Sequence, residues 1–404
     1  MRICFVSRRF FPAISGMSVY AVNLLRELVK AGHDVTMISQ YRGDAFGMRV
    51  YGGGPPPEVP GVRVIGQEQR GEQDGGDFER DIDAMVATIV QEHARRPFDV
   101  IHAQYGYPCG WAALLASQQT GVPNVVSIQG GDGHWVGDCC ETHRVAMVRV
   151  LDHANAVLIG CVSFRDEVVQ RLGTDPARFT IVPGAVDTTR FTPGETHPEG
   201  PPVMLYHGRV DARKGVLDLL AAASLLRETG DGFRLLISGI GPTFDETAAA
   251  IRDRGLADQV EMTGYIDYED VPTIYRRASI FASPTYAEGF SNTILEAMAS
   301  RMAVVSCRSV GVVDCIRNGE NGLLTEPGDT GALAEALRRV LRDTTLREHL
   351  AEAALTECRA VYSWAKVGRQ IMDVYAAVAG QPPHAVDPAL PILPCRFRAD
   401  PHLL

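Results

Sequence analysis

Features typical of several protein classes are missing from this sequence of 404 residues. It has no apolar run near the roughly 20 residues that cross a bilayer, so no membrane-spanning helix is predicted. It has no polybasic run, and a net charge of −10 disfavours nucleic acid and anionic membrane surfaces as partners. The opening MRICFVSRRFFP is too short and too basic for a secretory leader and predicts a buried first strand.

Several catalytic patterns are missing as well. The sequence has no GxSxG elbow, no HExxH helix and no GxGxxG in its first strand-to-helix turn, which disfavours a nicotinamide enzyme. Its nine cysteines show no repeated spacing and are expected to be reduced thiols. The expected location is therefore the cytoplasm, where thiols stay reduced.

Two halves of the chain repeat the same alternation of strands and helices. The first half begins with a strand at Ile3–Val6 and an amphipathic helix over 19–30. The second half restarts with a strand at Val203–His207 and a helix over 216–228, and it ends in a helical stretch over 330–358. This alternation predicts an α/β protein with two doubly wound parallel sheets that face a cleft. Ligands bind such sheets at the carboxyl ends of their strands.

The composition divides these halves into segments. The predicted N-terminal domain covers 1–195 and the C-terminal domain covers 196–365, because the sequence around their junction is rich in Pro and Gly. A helix over 366–380 is expected to return to the first domain. The segment 41–60, which contains GGGPPPEVPG, is either a loop over the cleft or a solvated connection. A proline-rich extended tail over 381–404 is expected to pack little and to be dispensable.

The most informative segment is EGFSNTILEAMA, residues 288–299. A helix N-cap at Ser291 or Asn292 leaves Glu288 in the preceding loop and places Glu296 about one turn inside the helix. The start of a helix binds anions. The segment can therefore hold a sugar at Glu288, a diphosphate at the helix end and a ribose diol at Glu296. A carboxylate without a partner would be costly in the apolar run around Glu296, which disfavours a plain surface helix.

Two further loops carry features that suit a phosphate. In HGRVDARKG, which follows a strand and opens a helix, Arg209 and Lys214 can both face a diphosphate. In the first loop, AISGMS, Gly16 stands at a helix start, where a phosphate or sugar can approach the backbone. Capping of that helix by Ser15 or Ser18 explains the same residues equally well.

Together these segments resemble glycosyltransferase family 4, the retaining glycosyltransferases of the GT-B fold. The resemblance covers residues 1 to about 378 and includes the opening strand and helix, VPGAVDTTRF, HGRVDARKG, SGIGP, TGYI, EGFSNTILEAMA and NGENGLL. It implies two Rossmann-like domains and the transfer of a hexosyl or N-acetylhexosaminyl group to a hydroxyl acceptor. The implied donor is a nucleoside-diphosphate sugar, such as a UDP- or GDP-sugar.

The resemblance also implies roles for single residues. Arg209 and Lys214 neutralise the diphosphate, Glu288 meets the donor sugar and Glu296 binds the ribose. With these cations and a helix terminus at the leaving group, neither a metal nor another cofactor is expected. Gly264, Tyr265 and Ile266 frame the base. The remaining predicted donor ligands are Gly16, Gly289, Phe290, Ser291, Asn292 and Thr293.

The acceptor side departs from the family pattern. Gln104 and Gln129 stand where His is common, although His102 matches the usual strand ending. The segment after Gln129 is expected to bind the acceptor, with Trp135 either a stacking platform for a sugar or a packed core residue. The predicted acceptor ligands are His102, Gln104, Gln129, Asp132, His134 and Trp135.

Two sequence clusters suggest metal ligands without predicting a metal site. Asp81 and Asp83 form a D-x-D pair, but residues i and i+2 point apart on a helix, so a solvated face is expected. Adjacent cysteines rarely bind one zinc ion together, which favours an acceptor-binding loop for the second cluster. That cluster consists of His134, Cys139, Cys140 and His143.

Two other functions stay open. A sugar-nucleotide epimerase would share the fold and the donor site. A non-catalytic nucleotide-sugar-binding subunit would account for Gln104 and Gln129. Hydrolysis of the donor in the absence of acceptor separates an active transferase from a binding subunit.

Overall fold

A computed structural model describes residues 1–45, 53–194 and 200–395, and the chain forms two compact units. The first unit contains Met1–Pro183 and the part that begins at Trp364, and the second is Gly184–Ser363. The composition of the sequence predicts these two boundaries near residues 195 and 365. Residues just after Pro183 belong to the second unit because Val186 is buried in its core. Parts of the segment 41–60 and of the Pro- and Gly-rich junction near residue 195 lie outside the described residues.

The first unit contains a sheet of seven parallel strands in the order β3-β2-β1-β4-β5-β6-β7. Its strands are β1 Arg2–Ser7, β2 Asp34–Tyr41, β3 Val62–Glu68, β4 Val100–Gln104, β5 Asn124–Ile128, β6 Ala156–Ile159 and β7 Phe179–Ile181. Its first helices are α1 Gly16–Lys30, α2 Arg70–Gln73, α3 Phe78–Arg95, α4 Trp111–Thr120, α5 Gly130–Trp135, α6 Glu141–His153 and α7 Val162–Leu172. The central strands are buried along their whole length, as expected for a parallel sheet covered by helices on both faces.

The second unit contains a sheet of six parallel strands in the order β10-β9-β8-β11-β12-β13. Its strands are β8 Val203–His207, β9 Arg234–Ser238, β10 Val260–Gly264, β11 Ile280–Ser283, β12 Ala303–Cys307 and β13 Leu323–Thr325. Its helices are α8 Val216–Glu228, α9 Phe244–Asp253, α10 Val271–Tyr275, α11 Asn292–Ala299, α12 Thr330–Arg342 and α13 Thr344–Val361. The strand order reverses between β8 and β11, which is where ligands bind in such sheets.

The helical stretch predicted over 330–358 is wrong in one respect, because it contains two helices. Asp343 separates α12 from α13, and its carboxylate accepts a hydrogen bond from the Leu346 N–H (2.9 Å). An aspartate with this backbone geometry is a good N-cap and starts a new helix. No helix within the described ranges is both long and apolar enough to cross a bilayer.

The last helix, α14 Trp364–Val378, belongs to the first unit and packs its Trp364 ring against Tyr20 of α1. The tail that follows contains neither helix nor strand through residue 395. It is nevertheless bonded to the first unit. Gln118 donates to the Val386 carbonyl (2.7 Å) and Asn155 donates to that of Pro382 (3.0 Å). Most residues over 381–395 are nevertheless exposed and none is buried, so the expectation that the tail packs little is not contradicted there, and residues 396–404 lie outside the described part.

Candidate functional site

Most of the predicted donor residues lie at one edge of the second sheet. Arg209 and Lys214 follow β8, Tyr265 follows β10 and Glu288 follows β11. These strands are parallel, so their carboxyl ends meet at the same edge. The structure therefore brings together residues that are up to 79 positions apart in the sequence, from 209 to 288.

Lys214 and Glu288 form an ion pair at the point where the strand order reverses. The Lys214 Nζ lies 2.6 Å from the Glu288 Oε1, and the two side chains are 31% and 17% exposed. A cation and a carboxylate in contact at this edge suit two different partners. The ammonium can attract a phosphate, and the carboxylate can stabilise positive charge on a sugar.

Backbone contacts hold the two loops of this pair together. Gly215 has φ +69°, and a Cβ there would lie 2.1 Å from the Pro284 carbonyl oxygen, so the β8 loop fits the β11 loop only with glycine. The Glu288 N–H donates to the Val310 carbonyl (3.0 Å). A Cβ at Gly311 would lie 2.3 Å from the Glu288 carbonyl oxygen. Gly311 is thus a site-shaping residue that the sequence motifs did not include.

Arg209 contacts a different carboxylate. Its side chain is 54% exposed, and its Nε lies 3.4 Å from the Asp211 Oδ2. The same oxygen accepts a hydrogen bond from Arg213 (2.9 Å). Asp211 therefore holds two guanidinium groups beside the Lys214 loop, which adds positive charge to this edge of the sheet.

The start of α11 has the predicted cap. Ser291 is the N-cap, and its hydroxyl accepts a hydrogen bond from the Ile294 N–H (3.5 Å), so Ser291 rather than Asn292 has this role. Asn292 and Thr293 are half-buried in the first turn. The buried Gly289 and the half-buried Phe290 precede the cap, and the Phe290 ring packs on Tyr362 of the core, 5.6 Å between centroids.

Glu296 is buried and has a partner that the sequence did not indicate. Its Oε2 accepts a hydrogen bond from the Tyr275 hydroxyl (2.7 Å), and both residues lie in the core. Burial raises the pKa of Glu296 to about 7, although the Tyr275 hydrogen bond and the charge of Arg190 act in the opposite direction. Tyr275 belongs to a short apolar helix, where nothing in the local pattern distinguishes it from an ordinary core tyrosine.

The predicted base-binding loop lies at the end of β10. Gly264 has φ +69°, and its carbonyl accepts a hydrogen bond from the Gly239 N–H (2.8 Å), which joins this loop to the one after β9. Tyr265 is half exposed, whereas Ile266 packs against the core. The exposed ring of Tyr265 is therefore the part of this loop that can contact a base.

Gly16 lies in the first unit as the exposed first residue of α1. Ser15 caps this helix, because its hydroxyl accepts a hydrogen bond from the Ser18 N–H (3.3 Å). Of the two interpretations of this loop, helix capping agrees with the hydrogen bond of Ser15. A diphosphate contact at Gly16 stays a prediction.

Two of the predicted acceptor ligands are fully buried. His102 contacts the Tyr375 hydroxyl through Nδ1 (2.5 Å) and the Ser127 hydroxyl through Nε2 (2.7 Å), and burial lowers its pKa to about 3. Gln104 accepts a hydrogen bond from Ser7 (2.9 Å) and donates to the Met17 carbonyl (2.9 Å). This arrangement does not support acceptor contacts for His102 and Gln104, because their polar groups are bonded within the unit.

Asp132 is also buried and serves the backbone. Its carboxylate accepts hydrogen bonds from the Gly106 N–H (2.6 Å) and the Gln129 N–H (2.8 Å), which fixes the start of α5. Burial raises the pKa of Asp132 to about 7. The half-buried Gln129 contacts Gln104 through its Oε1 (3.3 Å). Asp132 thus supports the loop and is not placed to bind an acceptor.

Trp135 and His134 differ in exposure. Trp135 is 38% exposed on α5, so the packed-core interpretation is wrong, and a stacking platform for a sugar stays a prediction. His134 is buried and its Nδ1 lies 2.7 Å from a Glu167 carboxylate oxygen. Gln129 and Trp135 are therefore the acceptor candidates that the structure leaves accessible.

The D-x-D pair has a structural explanation. Asp81 is buried, and its carboxylate accepts hydrogen bonds from the Gly71 N–H (2.8 Å) and the Glu72 N–H (2.7 Å). Asp83 is exposed on α3. The expected solvated face is wrong for Asp81, which instead ties α2 to α3.

Two family models match the chain, one for each half. "Glycosyl transferase 4-like domain" matches residues 15–185 and "Glycosyl transferases group 1" matches residues 187–356. The second match contains every predicted donor residue except Gly16. Both matches agree with the resemblance seen in the motifs.

Curated relatives align along nearly the whole chain. Glycogen synthase of Mycobacterium tuberculosis is 29% identical over 423 aligned positions, covering 97% of this chain and 98% of the relative. D-inositol 3-phosphate glycosyltransferase of Corynebacterium diphtheriae is 26% identical, covering 94% and 95%.

Solved structures share the fold. Sucrose-phosphate synthase from Thermosynechococcus elongatus has a TM-score of 0.77 at 23% identity, covering 93% of this chain and 98% of that one. Anabaena HepE in complex with UDP and glucose has a TM-score of 0.75 at 18% identity, covering 93% and 100%. These likenesses agree with two Rossmann-like parallel-sheet domains.

Proposed function

Because the chain belongs to the family 4 glycosyltransferases of the GT-B type, we propose that it transfers a sugar from a nucleoside-diphosphate sugar to a hydroxyl acceptor with retention of configuration. The observation that carries this proposal is the ion pair of Lys214 and Glu288 at the carboxyl ends of β8 and β11. The UDP and glucose bound by HepE support a nucleotide sugar as donor. Six of the nine cysteines are buried free thiols, which favours a reducing compartment, and we propose the cytoplasm.

In this proposal, the cations hold the leaving diphosphate. Lys214, Arg209 and the N-terminal end of α11 supply positive charge at one edge of the sheet. Their charge compensates the negative charge that grows on the diphosphate as the glycosidic bond breaks. No metal ion is required for this step.

The two glutamates act on different parts of the donor. Glu288, paired with Lys214, faces the sugar and stabilises positive charge at its anomeric carbon. Glu296 accepts hydrogen bonds from the ribose diol, because a carboxylate has two oxygens and Tyr275 contacts only one of them in the described structure. Glu288 thus lies in the loop before α11, and Glu296 lies about one turn inside that helix.

Retention follows from reaction on one face of the sugar. The acceptor oxygen bonds to the anomeric carbon, the bond from that carbon to the phosphate oxygen breaks, and the acceptor proton passes to the leaving phosphate. The buried His102, with a pKa lowered to about 3, is unsuited to remove that proton. This observation favours the leaving phosphate as the base.

The test begins with ligands and ends with stereochemistry. A thermal-shift screen with nucleoside diphosphates and their sugars identifies the donor, and donor hydrolysis without acceptor shows turnover. Proton NMR of fresh product then gives the anomeric configuration. An inverted product contradicts retention. Binding without hydrolysis or transfer favours the non-catalytic subunit.

A further inference from the structure

A cluster of three cysteines and one histidine in the first unit takes no part in the proposed sugar transfer. Their candidate ligand atoms all lie within 4.8 Å of one another. We propose that the cluster binds one Zn²⁺ ion in a tetrahedral Cys3His site that fixes the C-terminal tail to the loop before α6. The four ligands are Cys139, Cys140, His143 and Cys395.

The distances in the cluster fit one ion better than separate hydrogen bonds. The Nδ1 of His143 lies 3.0 Å from the sulfur of Cys139, 3.2 Å from that of Cys140 and 3.5 Å from that of Cys395. A ring nitrogen carries either one proton or one lone pair, so it forms one hydrogen bond and not three. Zinc bonds of about 2.3 Å to sulfur and about 2.0 Å to nitrogen place these atoms roughly 3.5 Å apart at tetrahedral angles.

The local backbone explains how two adjacent cysteines reach the same point. Cys140 is the N-cap of α6 with an extended backbone, φ −170° and ψ 164°. His143 lies in the first turn of that helix, and both sulfurs approach the same ring atom. The objection that adjacent cysteines rarely share an ion therefore does not apply to this turn.

Packing fixes the histidine ligand in place. The His143 side chain is fully buried, and its ring meets the Tyr107 ring edge-on at 4.6 Å and the Phe78 ring at 6.2 Å. A ligand whose ring is already oriented loses little freedom when it binds an ion. His134, which stands nearer in sequence to the cysteines than Cys395, instead contacts Glu167 and does not belong to the site.

The tail brings the fourth ligand to the cluster. The Thr142 hydroxyl donates to the Pro391 carbonyl (2.5 Å) and accepts a hydrogen bond from the Leu393 N–H (2.9 Å). Thr142 is adjacent to His143, and Leu393 is two residues before Cys395. The Thr142 hydroxyl therefore holds the tail backbone at Pro391 and at Leu393, immediately before Cys395. Cys395 is a cysteine that no local spacing could have joined to the others.

The first test measures metal content in the full chain. The protein is purified without a histidine tag, under reducing and anaerobic conditions, and its zinc is determined by elemental mass spectrometry. We expect about one zinc per chain, and less than roughly a fifth of that in Cys139→Ser and Cys395→Ser. Cys161→Ser is the matched control. It changes a cysteine outside the cluster, at the N-cap of α7, where serine is favoured, and it should keep its zinc.

A second measurement identifies the ligands. Replacement of zinc by Co²⁺ should give the visible absorption of a tetrahedral thiolate site, and Cys395→Ser should weaken its sulfur-to-cobalt band. Cys395→Ser alters an extended tail and should leave both units folded. The proposal is overturned if the full chain neither contains nor takes up zinc, or if both cysteine variants keep it. It is also overturned if mass spectrometry of the anaerobic protein finds Cys395 in a disulfide with Cys139 or Cys140.

Discussion

The ammonium of Lys214 lies 2.6 Å from the carboxylate of Glu288, across the reversal of strand order between β8 and β11. Each residue partly neutralises the charge of the other. A diphosphate that binds here competes with Glu288 for the Lys214 ammonium, and a sugar cation that forms here competes with Lys214 for the carboxylate. Substitutions of the pair should therefore separate binding from chemistry.

Glu288→Gln should lower kcat with little effect on nucleotide binding. The substitution removes the charge that stabilises the developing sugar cation, and losses of about 10²- to 10³-fold are usual for one such group. It also releases Lys214 from its ion pair, so the affinity for free nucleoside diphosphate should stay the same or rise. Steady-state kinetics and calorimetry measure both effects. Weaker nucleotide binding with unchanged kcat would contradict the assigned role.

Glu296→Gln should act mainly on the donor KM. Its hydrogen bonds to the ribose are equally present in the ground state and the transition state, so their loss changes binding and not kcat. A charge-assisted hydrogen bond contributes about 1.5–3 kcal/mol, which corresponds to roughly a 10- to 150-fold rise in KM. The same kinetic and calorimetric measurements serve as the comparison with Glu288→Gln. If neither substitution matters, the donor site lies elsewhere.

The stability of the protein should fall as pH rises from about 4.5 to about 7 because of Glu296. Its pKa is raised to about 7 in the folded chain, against 4.5 as the ordinary value, so the folded state binds more protons in this window. Stability from this group is complete below pH 4.5 and lost above pH 7. Urea unfolding at several pH values should show a smaller fall in Glu296→Gln. An identical pH dependence in the two proteins would argue against the raised pKa.

Tyr275→Phe tests the partner of Glu296. Without the hydroxyl at 2.7 Å, the pKa of Glu296 should rise further, because a donor to the carboxylate is lost. As pH is lowered, Glu296 should therefore become protonated earlier in Tyr275→Phe. The affinity for nucleoside diphosphate should start to fall at a higher pH in this variant than in the unsubstituted protein. Calorimetric titrations across this range detect the shift. A purely structural role would change stability and leave the midpoint of binding unmoved.

Sugar transfer should not depend on added Mg²⁺ or Mn²⁺. Lys214, Arg209 and the start of α11 supply the positive charge, and the Asp81 carboxylate is bonded to the backbone. Turnover in a short assay with EDTA should therefore equal turnover with added Mg²⁺. The assay is kept short so that EDTA does not remove the ion of the proposed zinc site. Activity that disappears in EDTA and returns with Mg²⁺ would contradict a metal-free reaction.

Removal of the tail should destabilise the first unit. A chain that ends at Gly380 loses the hydrogen bonds of Gln118, Thr142 and Asn155 to the tail. Each kcal/mol lost should lower the Tm of a unit of this size by roughly 2–4 °C. A chain that ends at Leu393 keeps those bonds and loses Cys395, which separates docking from zinc binding. Equal Tm values for all three chains would instead agree with a dispensable tail.

The fold was predictable because its signals are local. Apolar runs such as Val203–His207 and turn residues such as Gly215 define strands and loops over a few positions, and the parallel order follows from their alternation with helices. The site was only partly predictable. Contacts such as Tyr275 to Glu296 join residues whose local patterns are those of ordinary core positions. The burial of His102 likewise depends on Tyr375, 273 positions later in the chain.

The return of α14 to the first unit sets an order for biosynthesis. Val186 pairs with Ser363, so the second unit is a contiguous segment whose two ends adjoin, and it is finished before α14 leaves the ribosome. The first unit, although translated first, lacks Trp364 and Tyr375 until the chain is almost complete. Until then His102 lacks its contact with the Tyr375 hydroxyl. A nascent chain stalled with Ser363 outside the ribosome and α14 still inside its exit tunnel should thus resist protease in the second unit and be cleaved in the first.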